Sequence, residues 1–213
     1  MTKANTLTPI DYCARAISID ETRYNMTGAY RDGSRLVATD GHRLHLVEGL
    51  PDMGKGFLDG RVCQFPNYEA VLPQRSKLTT VATVQLNKKQ TEHLKRLVKT
   101  YKRKDCDCIV ESDCENSVLV IRGYHVTDCE ALNGEFVVRI PADGLKPFKM
   151  GLNFRYLVEA LLSDYITPPF TLETEGPSQD GSTKPLVIRY DMPQAYIGVI
   201  MPLRIDRILK GGA

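Results

Sequence analysis

The pattern of this chain predicts an α+β fold, with helices packed on antiparallel sheets in about three repeated units. Three observations carry the prediction. Apolar residues recur at helical i, i+3, i+4, i+7 spacing in three separate segments; strand-like runs follow each segment; and Gly, Asn and Asp punctuate those runs at short intervals. A helix with one apolar face followed by a short meander buries that face by lying on the sheet.

The first unit opens with "TPIDYCARAIS". Thr8 is placed to cap a helix over residues 8–18, Pro9 to occupy its first position, and Ile10, Cys13, Ala14 and Ile17 to form its stripe. Strands follow in "MTGAYRDGSRLVATDGHRLHLVE", where Asp40-Gly41 between two apolar runs predicts a tight type I′ hairpin. Residues 49–77 are dense in Gly and Pro without periodicity and read as a connection. The second unit has Asn87 as cap, a helix over 88–103 with Leu94, Leu97, Val98 and Tyr101 on one face, and the runs "DCIVESDCENSVLVIRGYHV" and "EFVVRIP". In the third, Asn153 caps a helix over 153–164 striped by Phe154, Leu157, Val158 and Leu161. It is followed by "FTLETEGPSQDGSTKPLVIRYDMPQAYIGVIMPLRI".

Composition narrows the function. With 42% hydrophobic and 25% charged residues the 213-residue chain is expected to be globular, and a formal charge of +2 demands no nucleic-acid partner by itself. No apolar run approaches the roughly 18 residues of a membrane span, and the polar start lacks a signal-peptide core, so no membrane partner and a cytoplasmic location are expected. The six cysteines then read as thiols. Zinc is the rival reading for "DCDCIVESDC", but Cys106 and Cys108 stand one residue apart, on the same face of a strand, and lack the usual spacing of two to four. Nothing calls for a cofactor.

"RYNMTG", "LVATDGHRL", "FPNYEAVLP", "NFRYLVEAL" and "YIGVIMPLRI", in that order, resemble the bacterial DNA sliding clamp family, the beta subunit of DNA polymerase III. That family has three similar domains, each of two helix-plus-sheet halves, and dimerises into a ring around duplex DNA. The resemblance covers three halves. It implies residues 1–78 as half a clamp-like domain with its connecting segment, and 79–213 as a complete one with a C-terminal tail. The first domain and half of the middle one have no counterpart. Closing a ring of twelve halves would need four copies, so a homo-oligomer is an option the resemblance leaves open.

The resemblance also implies a site. In the family, the TDGHRL turn and the final strand form a crevice for short linear motifs of polymerases and repair proteins. Matched by motif, it would comprise Arg23, Met26, Thr39, Gly41, His42, Arg43, Leu44, Pro73, Val199, Met201, Pro202, Leu203 and Arg204. Met and Leu suit an adaptable apolar slot, and Gly41 lets a peptide approach the backbone. Without the resemblance, MPLR would read as a core-edge strand and DGHR as a solvated turn. Family chains commonly end near MPxR, whereas this one continues through "DRILKGGA", so either Ile208 and Leu209 fold back into the crevice as a plug or the tail is simply disordered.

Lys89, Arg96, Lys99 and Arg103 project opposite the apolar stripe of the second helix and are the candidate contacts for duplex DNA, without sequence preference. A solvated face is the plainer account of such a run. The expected function is a clamp-like processivity factor in DNA replication that binds motif-bearing partners; a non-ring relative competing for the same peptides is the alternative. Catalysis is the reading from another class. Asp40, His42 and His45 are near in sequence, but alternate strand residues point to opposite faces, and no nucleophile or phosphate loop accompanies them. No enzyme is expected.

Overall fold

The structure, a computed structural model, describes residues 8–100, 106–125, 134–161, 169–176, 184–191 and 193–209. The first unit contains α1 (Pro9–Ala14), β1 (Tyr30–Asp32), β2 (Arg35–Thr39), β3 (Arg43–Glu48) and β4 (Lys55–Phe57). The second contains β5 (Thr79–Val84), α2 (Lys88–Thr100), β6 (Cys106–Asp113), β7 (Val118–His125) and β8 (Gly134–Asp143). The third contains β9 (Lys149–Asn153), α3 (Phe154–Leu161), β10 (Phe170–Thr174), β11 (Leu186–Asp191) and β12 (Ala195–Ile200), followed by α4 (Ile205–Leu209). The twelve strands form one antiparallel sheet in the order β4-β1-β2-β3-β12-β11-β10-β5-β8-β7-β6-β9.

Two junctions matter for the site. β8 changes partner along its length, running against β7 up to Pro141 and then against β5 at Ala142 and Asp143. β12 pairs with β3 over six residues, Ala195↔Glu48 through Ile200↔Arg43, which joins the last strand of the chain to the first unit.

Strand alternation sorts side chains onto two sides of the sheet. Leu36, Ala38, Val47, Ile188, Tyr196 and Ile200 face α1 and α3 in the larger core. Val37, Leu44, Leu46, Val187, Ile197 and Val199 face the other way and pack with Phe57, Phe65 and Tyr68. The connection therefore contributes to a core: Phe65 stacks on Tyr30 at 4.9 Å, and the Tyr68 hydroxyl donates to Asp32 Oδ2 at 2.7 Å.

The three caps form as expected. Asp11 N–H donates to Thr8 Oγ1 at 3.1 Å, Gln90 N–H to Asn87 Oδ1 at 2.9 Å, and Tyr156 N–H to Asn153 Oδ1 at 3.2 Å. Asn87 N–H in turn donates to Gln90 Oε1 at 2.8 Å, completing a reciprocal box. The first helix is shorter than expected. It stops at Ala14 because the chain tightens, with Ala16 and Ile17 bonding three residues back, before Ser18 N–H is drawn to Met26 O. Its buried stripe is also different: Tyr12, Cys13 and Ala16 are interior, whereas Ile10 is 55% exposed and Ala14 also faces solvent. Tyr12 displaces Ile10 by stacking on His45, ring centroids 4.4 Å apart. The second helix buries Leu94 fully and Leu97 and Val98 in part. Tyr101 and Arg103, the end of the third predicted helix, and Cys129 lie outside the described residues. Cys106 and Cys108 are both buried in the larger core, on one face of β6 as their spacing required.

Candidate functional site

The β2–β3 hairpin is wider than a type I′ turn. Thr39 pairs with Leu44, so four residues cross over, and only Gly41 has positive φ (+90°). Asp40 supplies the bracing: its Oδ1 accepts from the His42 and Arg43 N–H groups at 2.9 and 3.1 Å, while Gly41 N–H donates to Thr39 Oγ1 at 3.1 Å. A carboxylate that holds two amides in this way replaces the second positive φ, and the loop stands up with His42 exposed at its tip.

The turn and the C-terminal strand meet. Leu44 is paired with Val199 and Arg43 with Ile200, and Met201 N–H donates to His42 O at 3.0 Å. Because Arg43 and Leu44 are neighbours on a strand, they open onto opposite sides, and a cleft lies on each.

On the side of Leu44, a cleft of about 210 Å³ runs between the sheet and the end of the connection. Its lining is mostly aliphatic: Leu46, Leu72, Pro73, Leu78, Val187, Ile197 and Val199, with Arg35, Glu48, Arg75 and Arg189 at its edges. Leu44, 2% exposed, lies in the same apolar cluster.

On the side of Arg43, a cleft of about 240 Å³ is lined by Ile17, Ser18, Ile19, Asp20, Arg23, Asp40, His42, Arg43, Arg155 and Tyr156. Arg43 organises it. Its side chain is 5% exposed, Nε lies 3.0 Å from Asp40 Oδ2, Nη1 is ion-paired with Glu159, and the guanidinium sits 4.3 Å over the Tyr156 ring. Burial raises the Tyr156 pKa, as does the neighbouring Asp40. His42 lies nearly parallel to Tyr156 with centroids 6.5 Å apart, and Arg155 Nε pairs with Glu159 at 2.7 Å. Arg23 donates to Asp40 O at 3.0 Å and touches the space where a side chain at Gly41 would stand, as does Met26.

Beneath Arg43 on the same face, His45 is fully buried. Its Nδ1 is 2.8 Å from Tyr12 O, and a carbonyl only accepts, so Nδ1 carries the proton. His45 Nε2 and the Tyr12 hydroxyl are both buried without a hydrogen-bond partner among the described residues. Burial lowers the His45 pKa to about 3, so the ring is neutral.

The predicted residues thus divide. Arg23, His42 and Arg43 line one cleft; Pro73 and Val199 line the other, with Leu44 in the cluster beneath; Thr39 and Gly41 shape the turn, beside Met26. Met201, 41% exposed, stands at the end of the ladder between the clefts. Pro202, Leu203 and Arg204 line neither. Leu203 N–H instead donates to Gly151 O at 2.8 Å, and Arg204 pairs with Asp206 at 3.0 Å. The described part of the tail does not line either cleft: Ile208, 1% exposed, is seated on Gly151 of β9, where an added Cβ would lie 2.6 Å from Ile208 Cδ1. Sequence reasoning missed Leu72, which directly precedes Pro73, and Leu78, which follows the Arg75–Lys77 turn. It also missed Tyr156, whose signal was an aromatic residue just off the apolar stripe of α3.

On α2, Lys89, Arg96 and Lys99 are all exposed, while Glu92 is the helix's single acid and approaches Lys88 at 4.0 Å. Among the described residues, no helix is long and apolar enough to cross a membrane.

No protein-family profile and no curated protein matches this chain by sequence. Solved structures do match it by fold. The Caulobacter crescentus beta sliding clamp is 21% identical over 92% of this chain and 62% of its own, with a TM-score of 0.64. The DNA polymerase III beta chain of Streptococcus pneumoniae is 16% identical over 92% and 61%, with a TM-score of 0.63. A Pseudomonas aeruginosa DnaN sliding clamp bound to griselimycin is 20% identical over 92% and 62%, with a TM-score of 0.56. The chain has the sliding-clamp fold, and it spans about 62% of the length of the clamps it matches.

Proposed function

We propose that this chain is a clamp-like binding protein rather than an enzyme. It captures a short linear motif of a polymerase or repair protein in the paired clefts around the 40–44 turn. The observation that supports this reading is the β3–β12 ladder, which sets Leu44 against Val199 and Met201 against His42, so that segments from opposite ends of the chain form one wall with a cleft on each side. An extended peptide crossing the exposed Met201 would put apolar side chains in the aliphatic cleft and polar atoms beside His42 and Arg43. In this reading residues 1–78 supply the turn and the connection, and residues 79–213 supply the final strand and α3. The likeness to a clamp solved with griselimycin is consistent with ligand capture by this fold.

The test is calorimetric titration of the full chain with a peptide of the pattern Gln followed by apolar residues. Modest affinity is expected, since few anchors carry the binding energy. No heat of binding at near-millimolar peptide would remove the proposal while leaving the fold intact.

The same reading gives α2 a non-specific contact with duplex DNA, as part of a processivity role. Each phosphate contact adds about 0.9 to the log–log salt slope, so replacing Lys89, Arg96 and Lys99 with Glu should flatten that slope by roughly three. An unchanged slope would make the helix face a solvated surface. Light scattering decides whether copies assemble; a monomer would confine the DNA contact to one face.

A further inference from the structure

Three arginines stand at the edges of the aliphatic cleft, and they are not equivalent. Arg35 is held by Glu48 and Glu69, each at 3.0 Å. Arg189 is 7% exposed and pairs with Glu173 at 3.4 Å. Arg75 follows Pro73 closely, in the 3-10 turn Arg75–Lys77; it is exposed, lines the cleft, and no carboxylate among the described residues pairs with it. Glu48, the one acid among the described lining residues, is committed to Arg35.

On the reading that this cleft holds a peptide, we propose that Arg75 selects ligands carrying a carboxylate next to their apolar anchor, whether an Asp or Glu side chain or the peptide's own C-terminus. A guanidinium is always charged, has donors and no acceptor, and matches a carboxylate with two parallel bonds. Here it stands beside a wall of Leu72, Pro73 and Leu78, so a ligand seated in the cleft brings its charge to Arg75 with part of the solvent displaced. The other two arginines already have their acids, so Arg75 is the lining charge that a ligand carboxylate would meet, and a cationic ligand would be repelled by it. The aliphatic floor, with Leu46, Ile197 and Val199, suits an apolar side chain and offers nothing to a sugar-phosphate backbone.

The experiment uses the full chain and three fluorescent peptides with the same apolar anchor: one neutral and amidated, one amidated with a single Asp beside the anchor, and one neutral with a free C-terminus. The carboxylate that Arg75 reads is identified by whichever charged peptide binds about two- to fivefold tighter than the neutral one at low salt, an advantage that should shrink as salt rises. Arg75→Gln should remove that advantage, so that charged and neutral peptides bind the variant alike. Lys77→Gln makes the same charge change on a residue outside the cleft lining and should retain it. Equal affinity for all three peptides overturns the role of Arg75 and leaves the peptide site standing. Equal loss of preference in both variants also overturns it, because a general field would then be responsible. Absence of binding by any of the three removes the peptide site and the role of Arg75 together.

Discussion

The two clefts share one wall, the β3–β12 ladder, yet they are built from opposite materials. The side containing Leu44 and Val199 is aliphatic and has little polar structure to satisfy, so what enters it gains by leaving water. On the side of Arg43, nearly every charged group already has a partner: Arg43 with Asp40 and Glu159, Arg155 with Glu159, Arg23 with Asp20 at 3.6 Å. Desolvating such a satisfied network returns little net energy, but it fixes the positions of Tyr156 and His42. If a peptide occupies both clefts as proposed, its affinity should reside in the first and its register in the second.

The strongest way to break this division is to put a charge in the aliphatic cleft. Val199→Asp would place an unpaired carboxylate at a position 2% exposed, abolishing peptide binding and lowering the melting temperature together. Leu78→Asp separates the two effects, because Leu78 is half-buried at the cleft wall. The fold should persist in that variant while affinity falls at least about tenfold, a loss of roughly 1.4 kcal/mol. Unchanged affinity in Leu78→Asp would place the energy elsewhere.

The charged side rests on a neutral histidine, which predicts a pH dependence. The folded pKa of His45 is about 3 against an ordinary 6.5, so below pH 6.5 the unfolded chain takes up a proton that the folded chain refuses. Stability should therefore be intact above pH 6.5 and fall as pH drops towards 3, by up to about 1.4 kcal/mol per pH unit. Urea unfolding at pH 7 and pH 5 should differ by about 2 kcal/mol from this group. His45→Phe keeps a ring to stack on Tyr12 and should flatten that dependence; an equal pH slope in the variant would assign it to other groups.

A smaller effect is expected from the network above it. Glu159→Gln leaves Arg43 with Asp40 alone and should cost about 1–2 kcal/mol, read as a melting temperature lower by a few degrees. A change within error would mean that Asp40 and the Tyr156 ring suffice to hold the guanidinium.

Much of this architecture was legible because local chemistry dictates it. Asn87 and Asn153 cap where short polar side chains precede an apolar stripe, and Leu94 and Leu157 are buried because helical periodicity leaves them no other face. Tyr12 and His45 were not legible. A tyrosine one position off the stripe is interior only because a ring from β3 lies against it, which is a tertiary fact. The turn failed for a related reason: Asp40-Gly41 favours a two-residue hairpin, but the Asp40 side chain satisfies two amides and stabilises a longer loop. Motif resemblance brought Leu44 and Val199 together, but it could not say that Arg43 and Leu44 serve different clefts. That follows from strand alternation once β3 is placed between β2 and β12.

The smallest expected effect tests whether the tail belongs to either cleft. Leu203 bonds to Gly151 O, and Ile208 fills the notch that a glycine in β9 leaves open, so α4 is fastened to β9 and supplies no residue to the lining of either cleft. Removing the chain from Asp206 onward exposes that notch and should lower thermal stability, because Ile208 is 1% exposed. Peptide affinity, in contrast, should stay within about twofold, a change of no more than roughly 0.4 kcal/mol. Gly151→Ala gives the same answer without shortening the chain: its Cβ would displace Ile208 and strain the Leu203 bond. Tighter binding in either variant would show that the tail reaches the clefts and competes there. Weaker binding in both would show the reverse dependence, in which the docked tail holds Met201 in place between them.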